Sequence, residues 1–285
     1  EDDATRQNVG RQADIQSETD DSVNTEKLNI LRTTLDDNTK IDTVILTENT
    51  VQNLTDNMNP LESDESKRTV VLNVEQPAGD KADEIAIEIS ADSINAVSER
   101  NGLLSINTDE GSVKLGSDAI QEIAEQGTDV FFRIIPINDE QEQSELDEKS
   151  KGSAEVRILA FGNTVTSLGI PRKIETNLEG YDTSVVLPLG DVTIPVEGRD
   201  EFLDSLKIFI EHSDGTTELI AGEIVYEDGQ PVGIEFNINK FSSFQILSFM
   251  PRSGDDDSDD DDDEEDEQPA NEQENVPETG LEPED

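Results

Sequence analysis

Apolar residues in this chain come in short runs rich in Val, Ile and Phe, each closed within a few positions by Gly, Pro, Asn or Asp. Runs of that length and β-branched content fold as strands. No run approaches the ~20 apolar residues that a membrane-spanning helix needs. The chain is therefore expected to build sheets whose strands come from distant segments.

In the first half, strands alternate with helical patterns. "KIDTVIL" (40–46), "TVVLNVE" (69–75), "EIAIEIS" (84–90) and "DVFFRIIPI" (129–137) read as strands. "TENTVQNLTDNM", "ADSINAVSERN" and "SDAIQEIAEQ" carry apolar residues at helical spacing, and Asn59-Pro60 should stop the first of them. "LLSINTDEGSVKL" reads as a hairpin turning at Asp109-Glu110-Gly111. Alternation of this kind predicts helices packed on a sheet.

Three junctions share one pattern: "LTENTVQNL" (46–54), "ISADSINAV" (89–97) and "LGSDAIQEI" (115–123). Each reads as a strand running into a helix N-terminus, with Thr47, Ser90 or Ser117 capping open amides. Common punctuation at strand-to-helix junctions explains the likeness, and a duplicated unit is the other reading.

Residues 139–153 are uniformly polar and are expected to be a linker. From 154 onward helix signals almost vanish. "AEVRILAFGN", "RKIETNL", "TSVVLPL", "DVTIPV", the long segment from Ser205 to Ile238 and "FSSFQILSF" read as short strands, with hairpin turns at Ser213-Asp214-Gly215 and Glu227-Asp228-Gly229. In "FSSFQILSF", Phe241, Gln245, Leu247 and Phe249 should share one face, and Phe244, Ile246 and Ser248 the other. Strands at this spacing suggest a sandwich.

The fold expectation is α+β: an N-terminal α/β strand-helix module at 38–138, then an all-β immunoglobulin-like sandwich at 154–251. Residues 1–37 and 252–285 are expected to be disordered acidic ends. The first 26 offer only Val9, Ile15 and Val23 for burial, too little to offset the entropy of ordering.

The net charge is −49, of which the segment from Gly254 onward holds −18, leaving −31 on the rest. That surplus argues against nucleic acid and anionic lipid, both of which need Lys/Arg footprints. Divalent cations and cationic polymers are the natural partners of such a surface. With no cysteine, disulfides and thiolate chemistry are excluded. The opening Glu1-Asp2-Asp3 reads as a mature or excised fragment.

The order "IAIEISADSINAVSERNGLLSINTDEGSVKLGSDAIQEIA", followed downstream by "DGQPVGIEFNINKFSSFQIL", resembles a recurring region of Firmicute cell-surface proteins that often carry S-layer homology repeats. There a strand-helix segment precedes a β-domain closing on a strand marked here by Gly233, Phe236, Phe241, Ser242 and Phe244. The likeness covers roughly residues 40–250 and rests on core and turn positions. It implies an extracellular structural or adhesive module of a Gram-positive bacterium, in contact with cell-wall polymers or other surface-protein subunits. No S-layer homology repeat is found in the chain, so direct wall binding does not carry over. "VPETG" (276–280) faintly echoes a sortase signal but starts with Val and lacks the hydrophobic stretch and basic tail.

Among chemistry-bearing residues, the acid run from Asp255 to Glu267 has no internal Gly and no apolar anchor, so it reads as a solvated spacer rather than a calcium loop. Asp109, Glu110, Asp214 and Asp228 sit in turns, where Asp-Gly is ordinary hairpin chemistry; as a metal site they are the candidate calcium ligands. No other cofactor is indicated. His212, the single histidine, reads as a surface strand residue beside its turn. No phosphate cradle, His-Glu-x-x-His pair or Gly-x-Ser-x-Gly elbow is present, and with no Trp and two Tyr the chain lacks sugar platforms. The expectation is a non-catalytic secreted structural module, with an accessory region of a larger extracellular hydrolase or a ligand-binding adhesin as alternatives.

Overall fold

The computed structural model describes residues 6–19, 22–56 and 68–252. Its first elements are β1 (Gln7–Thr19) and β2 (Ser22–Thr34), paired antiparallel. Then come β3 (Lys40–Leu46), α1 (Glu48–Asp56), β4 (Arg68–Val74), β5 (Glu84–Ile89), α2 (Ala91–Ser98), β6 (Gly102–Thr108), β7 (Gly111–Leu115), α3 (Ser117–Gln126) and β8 (Val130–Pro136). The remainder is α4 (Glu140–Gly152), α5 (Ala154–Leu159), β9 (Asn163–Thr176), β10 (Thr183–Pro188), α6 (Arg199–Asp204), β11 (Leu206–His212), β12 (Thr217–Ala221), β13 (Glu223–Glu227), β14 (Gln230–Ile238) and β15 (Ser242–Pro251).

All fifteen strands join one mixed sheet, in the order β12-β11-β15-β9-β8-β5-β3-β2-β1-β4-β6-β7-β10-β14-β13. The expected α/β module followed by a separate immunoglobulin-like sandwich is therefore wrong. Strands from either side of residues 139–153 pair with each other, β8 with β9 and β7 with β10. Hydrogen-bonding capacity left along the outer strands of the first half is satisfied by the second half, which makes a single layer.

Residues 7–34 do not stay disordered. β1 and β2 sit in the middle of the sheet, between β4 and β3. Few apolar residues suffice there because burial falls mainly on one face, through Ala13, Ile15 and Ser17 from β1 and Ile30 and Arg32 from β2, with Thr33 buried on the other face. Ladders along both edges of the hairpin satisfy the backbone, so strand pairing rather than apolar content holds it. Gly10, at φ +73, lies where the register of β1 shifts against β2.

The core lies on the inner face of the sheet and takes side chains from both halves, including Ile15, Leu72, Ile87, Ile106, Phe132, Val185, Ile208, Ile234 and Phe244. α1, α2 and α3 pack side by side against this cluster. Their apolar pairs, Val51/Leu54, Ile94/Val97 and Ile120/Ile123, are the equivalent positions of the three similar junctions, and all are at most 1 % exposed. Ser90 does cap α2, accepting from the Ser93 amide at 3.2 Å. α3 begins instead at Gly116, which has no side-chain cap, and Ser117 lies inside the helix.

A second, smaller cluster of Ile137, Leu146, Val156, Phe209, Leu247 and Phe249 covers the outer face of β11 and β15. Residues 139–153, expected to be a linker, supply its cover as α4, whose Asp139 caps the Gln141 and Glu142 amides. α4 buries just Leu146 and Ser150, one turn apart, so its sequence shows almost no apolar stripe. "AEVRIL", expected to be a strand, is α5, capped by Ser153. The two-faced reading of β15 holds from Phe244 onward, with Phe244 and Ile246 in the large cluster and Leu247 and Phe249 in the small one, but Phe241, expected on the Leu247 face, precedes the strand and packs beside Phe132 against the large cluster.

The hairpins at Asp109–Gly111, Asp214–Gly215 and Asp228–Gly229 form as expected, joining β6 to β7, β11 to β12 and β13 to β14. The Asn59-Pro60 stop, the acid run and "VPETG" lie outside the described residues.

Candidate functional site

The sheet face turned away from the core carries a polar trough of about 1020 Å³. Alternation places it there: Ile15 points into the core, so Asp14 and Gln16 point out, and Ile106 in β6 likewise leaves Ser105 and Asn107 outside. Its floor is a row of amides and hydroxyls crossing the strands. Asn107 donates to Asn73 at 2.9 Å and Ser105 donates to Asn107 at 3.2 Å. Ser184 donates to Glu235 at 2.5 Å. Lys27 pairs with Asp14 at 2.7 Å, and Lys114, Glu75, Asp109 and Glu227 complete the charged lining. Such a surface sets many directional donors and acceptors among Val74, Val186, Pro188, Val225 and Val232 and presents no aromatic ring, the chemistry of a hydrophilic ligand held without stacking.

Several charged side chains elsewhere are engaged in structural pairs. Asp42, fully buried, takes Arg32 at 2.7 and 3.0 Å and Arg11 at 2.5 Å. Arg32 also reaches Asp80 at 2.5 Å, and Lys40 meets the same carboxylate at 3.1 Å. Hydrogen bonds from Arg32 and then Lys40 hold the Asp80 carboxyl below its usual range, while those that Arg32 donates to Asp42 and Asp80 raise Arg32 against the cost of burial. On β5 and β8, Arg133 grips Glu84 at 2.5 and 2.7 Å.

The four candidate calcium ligands are not brought together. Among the described residues no three acidic or histidine side chains form a group able to hold a metal ion. Glu110 is buried and engaged by Lys81 at 3.2 Å and Arg172 at 3.4 Å. Asp109 accepts from the Gln76 amide at 3.1 Å. Asp214 closes its own turn by accepting from the Thr216 amide and hydroxyl, with Lys240 at 3.6 Å, and these bonds lower its carboxyl to about 2. Asp228 occupies the left-handed position of its turn at φ +49.

His212 is not a surface residue: it is 6 % exposed and lies directly across from Ser242. Its Nδ1 is 3.3 Å from Ser242 Oγ and its Nε2 3.4 Å from Glu218. Sequence reasoning missed this Ser-His-acid line because the three residues come from separate strands. Its hydrogen bonding is that of a cross-strand contact, since the Ser242 hydroxyl donates to the Phe241 carbonyl and is turned away from a nucleophile's role. The trough residues were missed for a related reason. Their polar alternation is visible in each strand, but nothing in a strand says which others lie beside it.

The described residues form a mostly β fold with a polar trough on the outer face of the sheet and a row of three helices on its core side. No protein-family model, curated protein or solved structure matches the chain. No helix among the described residues is long and apolar enough to cross a membrane.

Proposed function

We propose that this chain is a non-catalytic secreted structural module of a bacterial cell surface, of the S-layer-associated kind, whose acidic surface is organised by divalent cations. One observation carries the reading. β15, the strand that leads in sequence to the acidic segment, is hydrogen-bonded along both edges, to β9 and β11, and packed on both faces. β1, the first described strand, is likewise bonded to β2 and β4. Tension applied through either strand would have to break two ladders together, as suits a part that transmits force.

The reading is supported further by ionisable groups held in structural pairs. Partners would be cell-wall polymers or neighbouring surface subunits, met through a surface of net charge −31. Single-molecule stretching of the whole chain tests the mechanical role. One cooperative rupture is expected, and gradual peeling of strands at low force would refute it. Immunolabelling of intact source cells tests the location, and a protein confined to the cytosolic fraction would rule out the surface assignment.

The trough favours a second reading, a ligand-binding adhesin taking a hydrophilic polymer across Asn73, Asn107 and Ser184. Calorimetric titration with soluble cell-wall glycan separates the two. Binding lost in Asn107→Ala would select the adhesin, and absence of heat would leave the structural role.

A further inference from the structure

Seven large apolar side chains are exposed among the described residues, and three of them, Ile158, Leu159 and Phe161, fall within four positions. They are 74 %, 41 % and 93 % exposed, whereas Val156 alone anchors α5 to the protein. The turn that presents them is well tied. Ala160 donates to Val156 at 2.8 Å, Asn163 donates through its side chain to Leu159 at 2.8 Å, and the Arg252 amide donates to the Gly162 carbonyl at 3.1 Å. Phe161 is thus held outward by a fixed frame, at an unfavourable hydration cost that burial in a complex would remove.

The charges beside the patch indicate what covers it. Glu155 and Arg157 are exposed on the same helix, and neither side chain has an ion-pair or hydrogen-bond partner among the described residues. One acid and one base flanking an apolar centre make a surface complementary to itself, the requirement of a two-fold contact. We propose that this patch is the dimerisation surface of the protein. A second copy is related by a two-fold axis, with Ile158 and Phe161 packed across it and Glu155 of each copy facing Arg157 of the other. An anionic membrane is a poor occupant for a body of net charge −31. The inference does not depend on the cellular location proposed above.

The charge also sets an unusual sign for salt. Two full chains of −49 each repel at long range, and the Debye length shrinks from about 30 Å at 0.01 M to about 3 Å at 1 M salt. Apolar packing is not screened, so dimerisation strengthens as salt is added, the reverse of a contact made mainly by opposite charges.

Sedimentation velocity of the full chain over a range of protein and salt concentrations tests this. The expected result is a monomer–dimer equilibrium shifting to dimer with salt. Phe161→Ser should weaken association by roughly tenfold or more with an unchanged melting temperature. Glu155→Arg and Arg157→Glu should each weaken it, and the double exchange should restore it. A monomer at every concentration and salt would overturn the proposal, including one that instead floats with zwitterionic vesicles. A dimer indifferent to Phe161→Ser, or not restored by the double exchange, would overturn it as well.

Discussion

Ala221 and Glu223 stand at opposite edges of the same fifteen-stranded sheet although Gly222 alone separates them in sequence. Ala221 ends β12, which pairs with β11, and Glu223 begins β13, which pairs with β14. The chain therefore steps from one end of the sheet to the other in a single residue, and the sheet must curl round its core until its ends meet. The strands left at the edges are five residues each, too short to template much pairing with another chain.

Gly222 is where this closure is most crowded. A methyl group there would lie 2.5 Å from Ile234 Cγ1, 2.8 Å from the Glu235 carbonyl oxygen and 2.9 Å from Ile208 Cδ1. Gly222→Ala is expected to cost about 1–3 kcal/mol by overpacking. Urea denaturation measures it, and a change within about 0.5 kcal/mol would mean that the meeting point has slack.

Asp42 binds two guanidinium groups in the buried layer. Asp42→Asn leaves Arg11 and Arg32 without their shared counter-charge and is expected to cost about 3–5 kcal/mol. Replacing all three by apolar residues of similar volume should recover most of that loss, because desolvation of the charges goes with them. Equilibrium unfolding of both variants checks the pair of outcomes.

Asp214 makes a pH-dependent contribution of known sign. Its carboxyl is lowered from 3.8 to about 2 by the Thr216 bonds, with Lys240 adding to the effect. A lowered carboxyl stabilises the fold fully above its unfolded value and loses that share as pH falls through the folded one. The melting-temperature gap between the native protein and Asp214→Asn should thus be constant above about pH 5, narrow below about 4 and vanish only once the pH falls below about 2. A gap unchanged down to pH 2 would place the stabilising bonds elsewhere.

Calcium binding should not depend on the four turn acids. Since they do not converge, the combined Asp109→Asn, Glu110→Gln, Asp214→Asn and Asp228→Asn variant is expected to keep the calcium heat of the native protein. A saturable heat lost in that variant would assign them an ion.

Much of the local structure was legible. The strand-to-helix junctions at 46–54, 89–97 and 115–123 buried the residues their spacing indicates, and the Asp-Gly hairpins formed where their turn residues lie. The errors fell where tertiary partners override composition. β1 and β2 carry too few apolar residues to look folded, and α4 has one buried leucine in thirteen positions. Both are held by what surrounds them: ladders on two sides for the hairpin, and the outer face of β11 and β15 for the helix.

By itself the sequence determined the acidity of the surface, the absence of thiol chemistry, the strand-rich character and most turn positions, because these depend on residue type and on neighbours within a few positions. Only the tertiary structure decided that one sheet embraces both halves, that His212 meets Ser242 and Glu218, that the trough collects polar residues from eight strands, and that Phe161 faces outward. Each of these depends on which strands become neighbours. That choice is made by the burial and hydrogen-bonding of the whole chain, and its terms are spread too widely in sequence for any local pattern to carry them.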